Sequence, residues 1–363
     1  MQNPYFDFIH NHFGFGCMRL PMVGDKVDIP QTTKMVDAFL ARGFNYFDTA
    51  HGYIGGKSEL AVKECLTSRY PRDSYILTDK LSPNFFNTEA EIRPYFESML
   101  EACGVEYFDF FLLHSLTAGN YPHYTGNRAF EIAAELKAEG KVRHVGISFH
   151  DKADVLDMIL SEQPAIEVVQ LQFNYADYND DEVQAKKCLE VCRKFGKDVI
   201  VMEPVRGGSL VALPEEAKEL LESTGKSCAE YAVRYAASHE GIFMVLSGMS
   251  NMEQLVDNIR TFEERKPLNE AETKAVFEVA EGLKNTVPCT ACRYCVDGCP
   301  MGLDIPFLLS VYNDLRYAPV INTTLRIEAL PESKKPDVCV GCGKCSKIRK
   351  LLIASINTAK GNQ

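Results

Sequence analysis

The sequence predicts a (β/α)8 barrel followed by a small cysteine-rich domain. Short β-rich runs alternate with stretches of helical periodicity over roughly 250 residues, the span such a barrel needs. Chemistry-bearing side chains stand at the C-terminal ends of three successive runs, where a barrel of this kind keeps its active site. The thirteen cysteines are unevenly spread: six are scattered up to Cys228, and the rest crowd between Cys289 and Cys345.

The expected strands are residues 13–17, 45–49, 75–79, 109–113, 144–148, 168–172, 198–202 and 243–247. Between them, helical periodicity covers 33–41, 89–102, 129–137, 151–160, 180–193 and 228–237. Strand and helix alternating at this spacing mean parallel strands joined by crossovers. A doubly wound open sheet is the alternative. No GxGxxG joins an early strand to a helix, which argues against it. Residues 269–283 read as a terminal helix outside the barrel. The shift in cysteine content then puts a domain boundary near 285, giving a barrel over 1–285 and a second domain over 286–363.

Composition fits a large buried core, with 46% hydrophobic and 25% charged residues. A net charge of -11 argues against nucleic acid or an anionic membrane as partner. No basic segment followed by an apolar one opens the chain, and no apolar run approaches the roughly 18 residues of a membrane span. A cytoplasmic protein is expected. In a chain this long without a signal peptide, so many cysteines point to metal or redox use rather than disulfides. Cys188 and Cys192, one helical turn apart, read as core thiols.

The second strand ends in FDTAHGY, placing Asp48 and Tyr53 at its mouth; Lys80 follows the third strand in ILTDK, and His114 the fourth in FFLLH. Singly, a loop tyrosine or a strand-end histidine is more often structural. Together, at matching strand ends, they form a working set. Hydride delivered to a carbonyl carbon leaves charge on oxygen, and that oxygen needs a proton. A free tyrosine, with a pKa of about 10, releases its proton reluctantly at neutral pH. A lysine cation beside it stabilises the phenolate and is expected to lower that pKa. An aspartate holds the lysine charged, and a neutral histidine orients the substrate oxygen. Tyr53 is thus expected as general acid, Lys80 as its tuner, Asp48 as anchor and His114 as orienter.

These motifs, with GKVRHVGISF, VVQLQFNY, MEPVRGGSL and SGMSNMEQLVDN in this order and spacing, resemble the aldo-keto reductases over roughly residues 10–284. The resemblance implies the same Asp48, Tyr53, Lys80 and His114 tetrad and an NADP(H) or NAD(H) cofactor. It places Gly16, Cys17 and Met18 near that cofactor, together with Asp48. It assigns Ser148 and Gln170 to the nicotinamide carboxamide, and Pro204, Val205 and Gly208 to the pyrophosphate, where glycine permits close backbone approach. Gly248, Ser250, Gln254, Asp257 and Asn258 match the adenosine pattern of the branch that resembles potassium-channel β subunits. The same stretch also reads as a capped helix, with Ser250 as N-cap and Glu253 completing a capping box. Met202 stands where many members stack an aromatic ring on the nicotinamide. Gly248 and Gln254 stand where many carry a Lys and an Arg for a 2′-phosphate, a task Arg206 is placed to take over.

Residues 289–300 read CTACRYCVDGCP, the C-x2-C-x2-C-x3-C-P run of bacterial ferredoxins. Zinc is the alternative, but zinc sites usually separate two cysteine pairs widely and lack the trailing proline. A second run holds Cys339, Cys342 and Cys345. In two-cluster proteins the fourth cysteine of each run serves the other cluster. The set Cys339, Cys342, Cys345 therefore completes with Cys299. The set Cys289, Cys292, Cys295 finds Arg349 where its fourth ligand would stand. That leaves a three-iron cluster, an iron with a non-cysteine ligand, or no first cluster. Alternatively Cys299 folds back locally and one cluster remains. A helix over 305–316 and a linker to 336 separate the runs, as in the α-helical ferredoxin modules fused to some aldo-keto reductases.

The expectation is an NAD(P)H-linked oxidoreductase acting on a small carbonyl or alcohol, with one or two 4Fe-4S clusters and an electron-transfer partner. The competing readings are a redox-sensing nucleotide-binding protein and an electron-transfer protein with little carbonyl turnover. The loop 116–127, with Tyr121, His123 and Tyr124, is expected to line or cover the substrate pocket.

Overall fold

The computed structural model describes residues 11–264, 266–284, 286–287, 289, 293–317, 326–327, 330–342 and 345. By internal contacts the chain falls into two units. One is Met1–Pro204 with Ala232–Leu268; the other is Val205–Tyr231 with Asn269–Gln363.

The first unit is a closed eight-stranded parallel barrel. Its strands, in chain order, are Phe13–Gly16, Tyr46–Asp48, Ile76–Leu81, Phe108–Leu116, Val142–Phe149, Val168–Gln172, Asp198–Met202 and Ile242–Gly248. The first strand pairs with both the second and the eighth, so the sheet has no edge and is not an open one. Alternation along each strand divides the side chains between lumen and helix layer. Tyr46, Ile76, Phe110, Leu112, Val168, Ile200, Met244 and Leu246 pack together as one buried cluster that plugs the lumen. The intervening side chains meet the helices: Phe111 packs edge-on against Phe96 at 5.0 Å, and Phe13 stacks on Phe262 at 4.3 Å. Both faces are dry, which is why the runs read as almost continuously apolar. A filled lumen leaves the chemistry to the strand ends.

All eight expected strands form. The helix Cys228–Ala237 lies where periodicity placed it. Ile29–Ala41 starts earlier than expected, because Asp28 accepts the Gln31 N–H and Pro30 fits the first turn. Ala185–Lys194 starts later than the expected 180. Asn174 accepts the N–H groups of Ala176 and Asp177, and Asp180 those of Glu182 and Val183. Such side-chain bonds turn the backbone away from a helix. Tyr121–Gly126, inside the presumed pocket loop, and Glu215–Glu222 are helices the periodicity did not single out.

In the second unit, Glu270–Leu283 opens with a capping box between Asn269 and Glu272 and packs against Glu215–Glu222. The helix Ile305–Tyr317 supplies Ile305, Leu308 and Leu309 to a small core with Leu303. Asn313 ties the chain at Val287 by two bonds, accepting its N–H at 2.7 Å and donating to its carbonyl at 2.8 Å. Among the described residues no helix is long and apolar enough to cross a membrane.

Candidate active site

Lys80, at the end of the third barrel strand, is fully buried. An ammonium group carries three N–H donors, and each finds an acceptor: Asp48 Oδ1 at 2.6 Å, the Thr49 carbonyl at 2.7 Å and Tyr53 Oη at 3.1 Å. Burial works against the cation. The Asp48 carboxylate and then Tyr53 outweigh it, and the net shift is upward, so Lys80 stays charged. Asp48 is itself pushed up by burial, opposed by Lys80 and by Gln170, whose Nε2 donates to Asp48 Oδ2 at 3.0 Å. The third and sixth strands thus grip one carboxylate from two sides.

Tyr53 begins a short turn, Tyr53–Gly56, that leads into the helix Lys57–Val62. Ile54, with φ at 54°, is β-branched and left-handed, a strained conformation directly after the tyrosine. The Tyr53 phenol does not titrate below its usual range, as the sequence had suggested it would. Burial raises its pKa, Lys80 lowers it by less, and Asp48 raises it again. The lysine charge is already engaged by the aspartate, so only part of its field reaches the phenol.

His114 lies with its ring centroid 6.0 Å from that of Tyr53, inclined by 72°. Burial, then the Lys80 charge, pushes its pKa down to about 3, so the ring is neutral at physiological pH. Its Nδ1 is 2.6 Å from Ser82 Oγ. Tyr124, expected at a pocket, belongs to the interior of the barrel domain. It is wholly buried, with its hydroxyl 2.7 Å from the His114 carbonyl and 3.0 Å from that of Leu81, and it braces both strand ends.

Of the residues expected around a nucleotide, Gly16, Ser148, Gln170, Met202 and Gly248 stand at the same ends of barrel strands in the first unit. Gly16 is in register with Asp48 on one side and Gly248 on the other. A Cβ there would stand 3.2 Å from the Gly248 nitrogen, so glycine sets the closeness of these strands. Cys17 is buried and its thiol pushed up by burial, while Met18 is exposed. Ser148 and Gln170 are register partners on adjacent strands, both buried. Ser148 Oγ accepts the Ser115 N–H, and Gln170 Nε2 is held by Asp48. This leaves a hydroxyl proton on one and a carbonyl oxygen on the other without a bond among the described residues. Met202 and Pro204 close the seventh strand, and the Met202 carbonyl accepts the Phe173 N–H. Val205 and Gly208, in the second unit, form a turn in which the Gly208 N–H bonds the Val205 carbonyl.

Near the eighth strand the helix is Met252–Glu264, and its cap differs from expectation. The Ser250 hydroxyl is committed to the Arg19 carbonyl at 2.9 Å. Asn251 caps in its place, accepting the Gln254 N–H, while Gln254 Oε1 accepts the Ser250 N–H. Glu253 takes no part in this arrangement. Asp257 pairs with Arg260 at 2.7 Å, and Asn258 is buried, donating to Ser247 Oγ at 3.0 Å. The Arg19 stem packs over Gly248. Neither Arg19 nor Ser82 stood out in the sequence. The two-residue strand period from Lys80 was the available signal for Ser82.

The aldo/keto reductase family model matches residues 12–281. This chain belongs to the aldo/keto reductase family. It is an oxidoreductase by that membership. Similar proteins include the L-galactose dehydrogenase of Arabidopsis thaliana, 27% identical and covering 75% of this chain and 91% of its own length. The NADH-specific methylglyoxal reductase of Escherichia coli is 23% identical over 67% of this chain and 85% of its own. An aldo-keto reductase from Bacillus halodurans, solved in a holo form, superposes with a TM-score of 0.61 at 25% identity, covering 74% of this chain and 91% of its own.

The 4Fe-4S dicluster domain model matches residues 282–348 of this aldo/keto reductase. Cys289, Cys295, Cys299, Cys339 and Cys345 all pack around the core of Leu303, Ile305, Leu308 and Leu309. Cys342 is exposed. The Cys345 thiol is pushed up by burial and by its neighbours Cys339, Cys342 and Cys299, so the end of the first run and the whole second run share one locality. Cys292 and Arg349 lie outside the described residues. The thiols outside this domain, Cys188 and Cys192 among them, are buried.

Proposed function

We propose that this aldo/keto reductase reduces a small carbonyl compound with NADH or NADPH and oxidises the corresponding alcohol in reverse. The observation that carries this is the Lys80 ammonium, whose donors join Asp48 to the Tyr53 hydroxyl inside a buried site. The nicotinamide, when bound, supplies or takes up the hydride. Tyr53 gives its proton to the substrate oxygen, and Lys80 stabilises the phenolate left behind. Neutral His114 donates to the same oxygen and fixes its direction. Ser148 offers a donor and Gln170 an acceptor side by side, the complement of a carboxamide. Gly248 and Gln254 offer no cation to a 2′-phosphate, and Arg19 is the cation beside them.

The test is turnover of an aldehyde panel that includes methylglyoxal, with each nucleotide in turn. Nucleotide-dependent carbonyl loss supports the reading. Tight nucleotide binding with no turnover on any carbonyl would favour the redox-sensing alternative.

Donation from His114 requires its proton on Nε2, so Ser82 must donate to Nδ1. Ser82→Ala removes that hydrogen bond, worth about 1 kcal/mol, and kcat should fall roughly fivefold with KM for nucleotide unchanged. An unaltered kcat would separate Ser82 from His114 function.

In the second domain, with its boundary near residue 285, we assign Cys299, Cys339, Cys342 and Cys345 to one 4Fe-4S cluster and Cys289, Cys292 and Cys295 to a second cluster that lacks a fourth cysteine. These clusters, when bound, supply one-electron chemistry, and exposed Cys342 offers the edge nearest an electron-transfer partner. Cys299→Ser should lower iron per chain and visible absorbance while far-ultraviolet dichroism of the barrel persists. Full iron content in this variant would remove Cys299 from the ligand set.

A further inference from the structure

Behind Lys80, on the helix side of the third strand, lies a second polar group of residues that the reaction does not use. Glu59 comes from the helix Lys57–Val62, Asp79 from the strand and Cys103 from the end of the helix Glu89–Cys103. All three are buried, and one oxygen of each carboxyl group and the sulfur lie within 4.8 Å of one another. Two carboxylates cannot both stay ionised at such a distance in a dry site. Either a cation or a proton must sit between them.

The bonds at each oxygen favour a proton. Asp79 Oδ1 accepts the Lys80 N–H at 2.8 Å, and Oδ2 accepts the Cys103 thiol at 3.5 Å. Glu59 Oε2 is 2.8 Å from His51 Nδ1, with which it shares a hydrogen bond. Glu59 Oε1 is buried and has no donor among the described residues. It is therefore the atom left to meet a proton shared with Asp79. A metal ion would have to compete with the Cys103 proton and sit directly behind the charged Lys80.

We propose that Glu59 and Asp79 share one proton and act as positioning residues for Lys80 and Tyr53. Asp79 clamps the backbone N–H of the residue after it, which is Lys80 itself. With the proton in place the pair carries one negative charge; without it, two. The groups facing the pair are His51 from the loop after the second strand, Tyr95 and Cys103 from the helix Glu89–Cys103, and Lys80 and Tyr53 across the strand. Negative charge on Asp79 holds the Tyr53 proton more tightly. Loss of the shared proton thus makes Tyr53 a poorer acid. Burial, first of all, pushes Glu59 up to about 7; burial and then the Glu59 charge hold the Asp79 proton well above the usual carboxylate range, so the shared proton is lost only above neutral pH.

The tuning role rests on the reading of Tyr53 as proton donor; the shared proton does not. The experiment accordingly reads the proton first, by infrared titration of the full chain and of Glu59→Gln and Asp79→Asn. In the wild type a protonated-carboxyl C=O band that outlasts pH 7 is expected; in Glu59→Gln and Asp79→Asn, where the neighbouring charge is gone, it is lost at lower pH. An acid whose folded pKa is raised stabilises below its unfolded value and loses that stability as pH rises through the folded one. Thermal stability of the wild type should therefore fall from pH 5 to pH 8 relative to Glu59→Gln. With methylglyoxal and NADH, the alkaline fall in kcat should move to higher pH in Glu59→Gln. No such band in the wild type, the same band in both variants, or stoichiometric zinc lost in Asp79→Asn would overturn the shared proton. A band that behaves as expected with an unmoved kcat profile would overturn the tuning role alone.

Discussion

Tyr53→Phe should lower kcat for carbonyl reduction by about 10²–10⁴-fold, the usual contribution of a positioned proton donor. Phenylalanine keeps the ring, its contact with His114 and its place over the Lys80 side chain, where the ammonium lies 4.6 Å from the ring centroid. What it lacks is the hydroxyl that Lys80 contacts at 3.1 Å. Nucleotide affinity should be retained, because the expected carboxamide contacts come from Ser148 and Gln170 on other strands. The measurement is steady-state kinetics beside a nucleotide titration. A variant that still reduces carbonyls at wild-type rate would mean that the proton comes from elsewhere, His114 being the neighbouring donor.

Lys80→Met should destabilise the fold by about 3–5 kcal/mol, the cost of removing one partner from a buried ion pair. The side chain is wholly buried and its ammonium satisfies Asp48, Thr49 and Tyr53 together. Methionine fills the volume but leaves the Asp48 carboxylate with Gln170 as its remaining donor among the described residues. Burial then keeps Asp48 protonated to higher pH than in the wild type. A raised carboxyl pKa stabilises below the unfolded value and loses that stability as pH rises, so the deficit should be larger at pH 8 than at pH 5. Urea denaturation at the two values checks the sign. Asp48→Asn in the Lys80→Met background should recover part of the loss, since no charge is then left buried. Equal, additive costs would mean that the pair contributes packing only.

Much of this could be read from residue order because strand ends and period-two alternation are local properties. Asp48, Lys80 and His114 each close an apolar run, and parallel register brings their strands side by side. The features that escaped are set by tertiary competition. Ser250 has the right chemistry for an N-cap, but its hydroxyl is taken by the Arg19 carbonyl, 231 residues away in sequence, and Asn251 caps instead. The lysine's effect on Tyr53 was read with the right sign, yet burial outweighs it, and burial is a property of the whole barrel. Tyr124 sits in a segment whose aromatic and polar content suggests a pocket. Its hydroxyl instead finds two strand-end carbonyls, a pairing visible only once the third and fourth strands are adjacent. The Glu59–Asp79 contact joins a helix to a strand and carries no local signature.

The decisive measurement follows a labelled hydride. Nicotinamide nucleotide deuterated at C4 is turned over with methylglyoxal and the aldehyde panel under anaerobic conditions, and the alcohol is analysed by mass spectrometry. If Tyr53, Lys80, Asp48 and His114 form a hydride-coupled reduction site, the wild type places deuterium on the former carbonyl carbon and Tyr53→Phe yields almost no alcohol. Alcohol formed without deuterium, or formed equally well by Tyr53→Phe, would contradict that account and direct attention to the cysteine-bearing domain as the source of electrons.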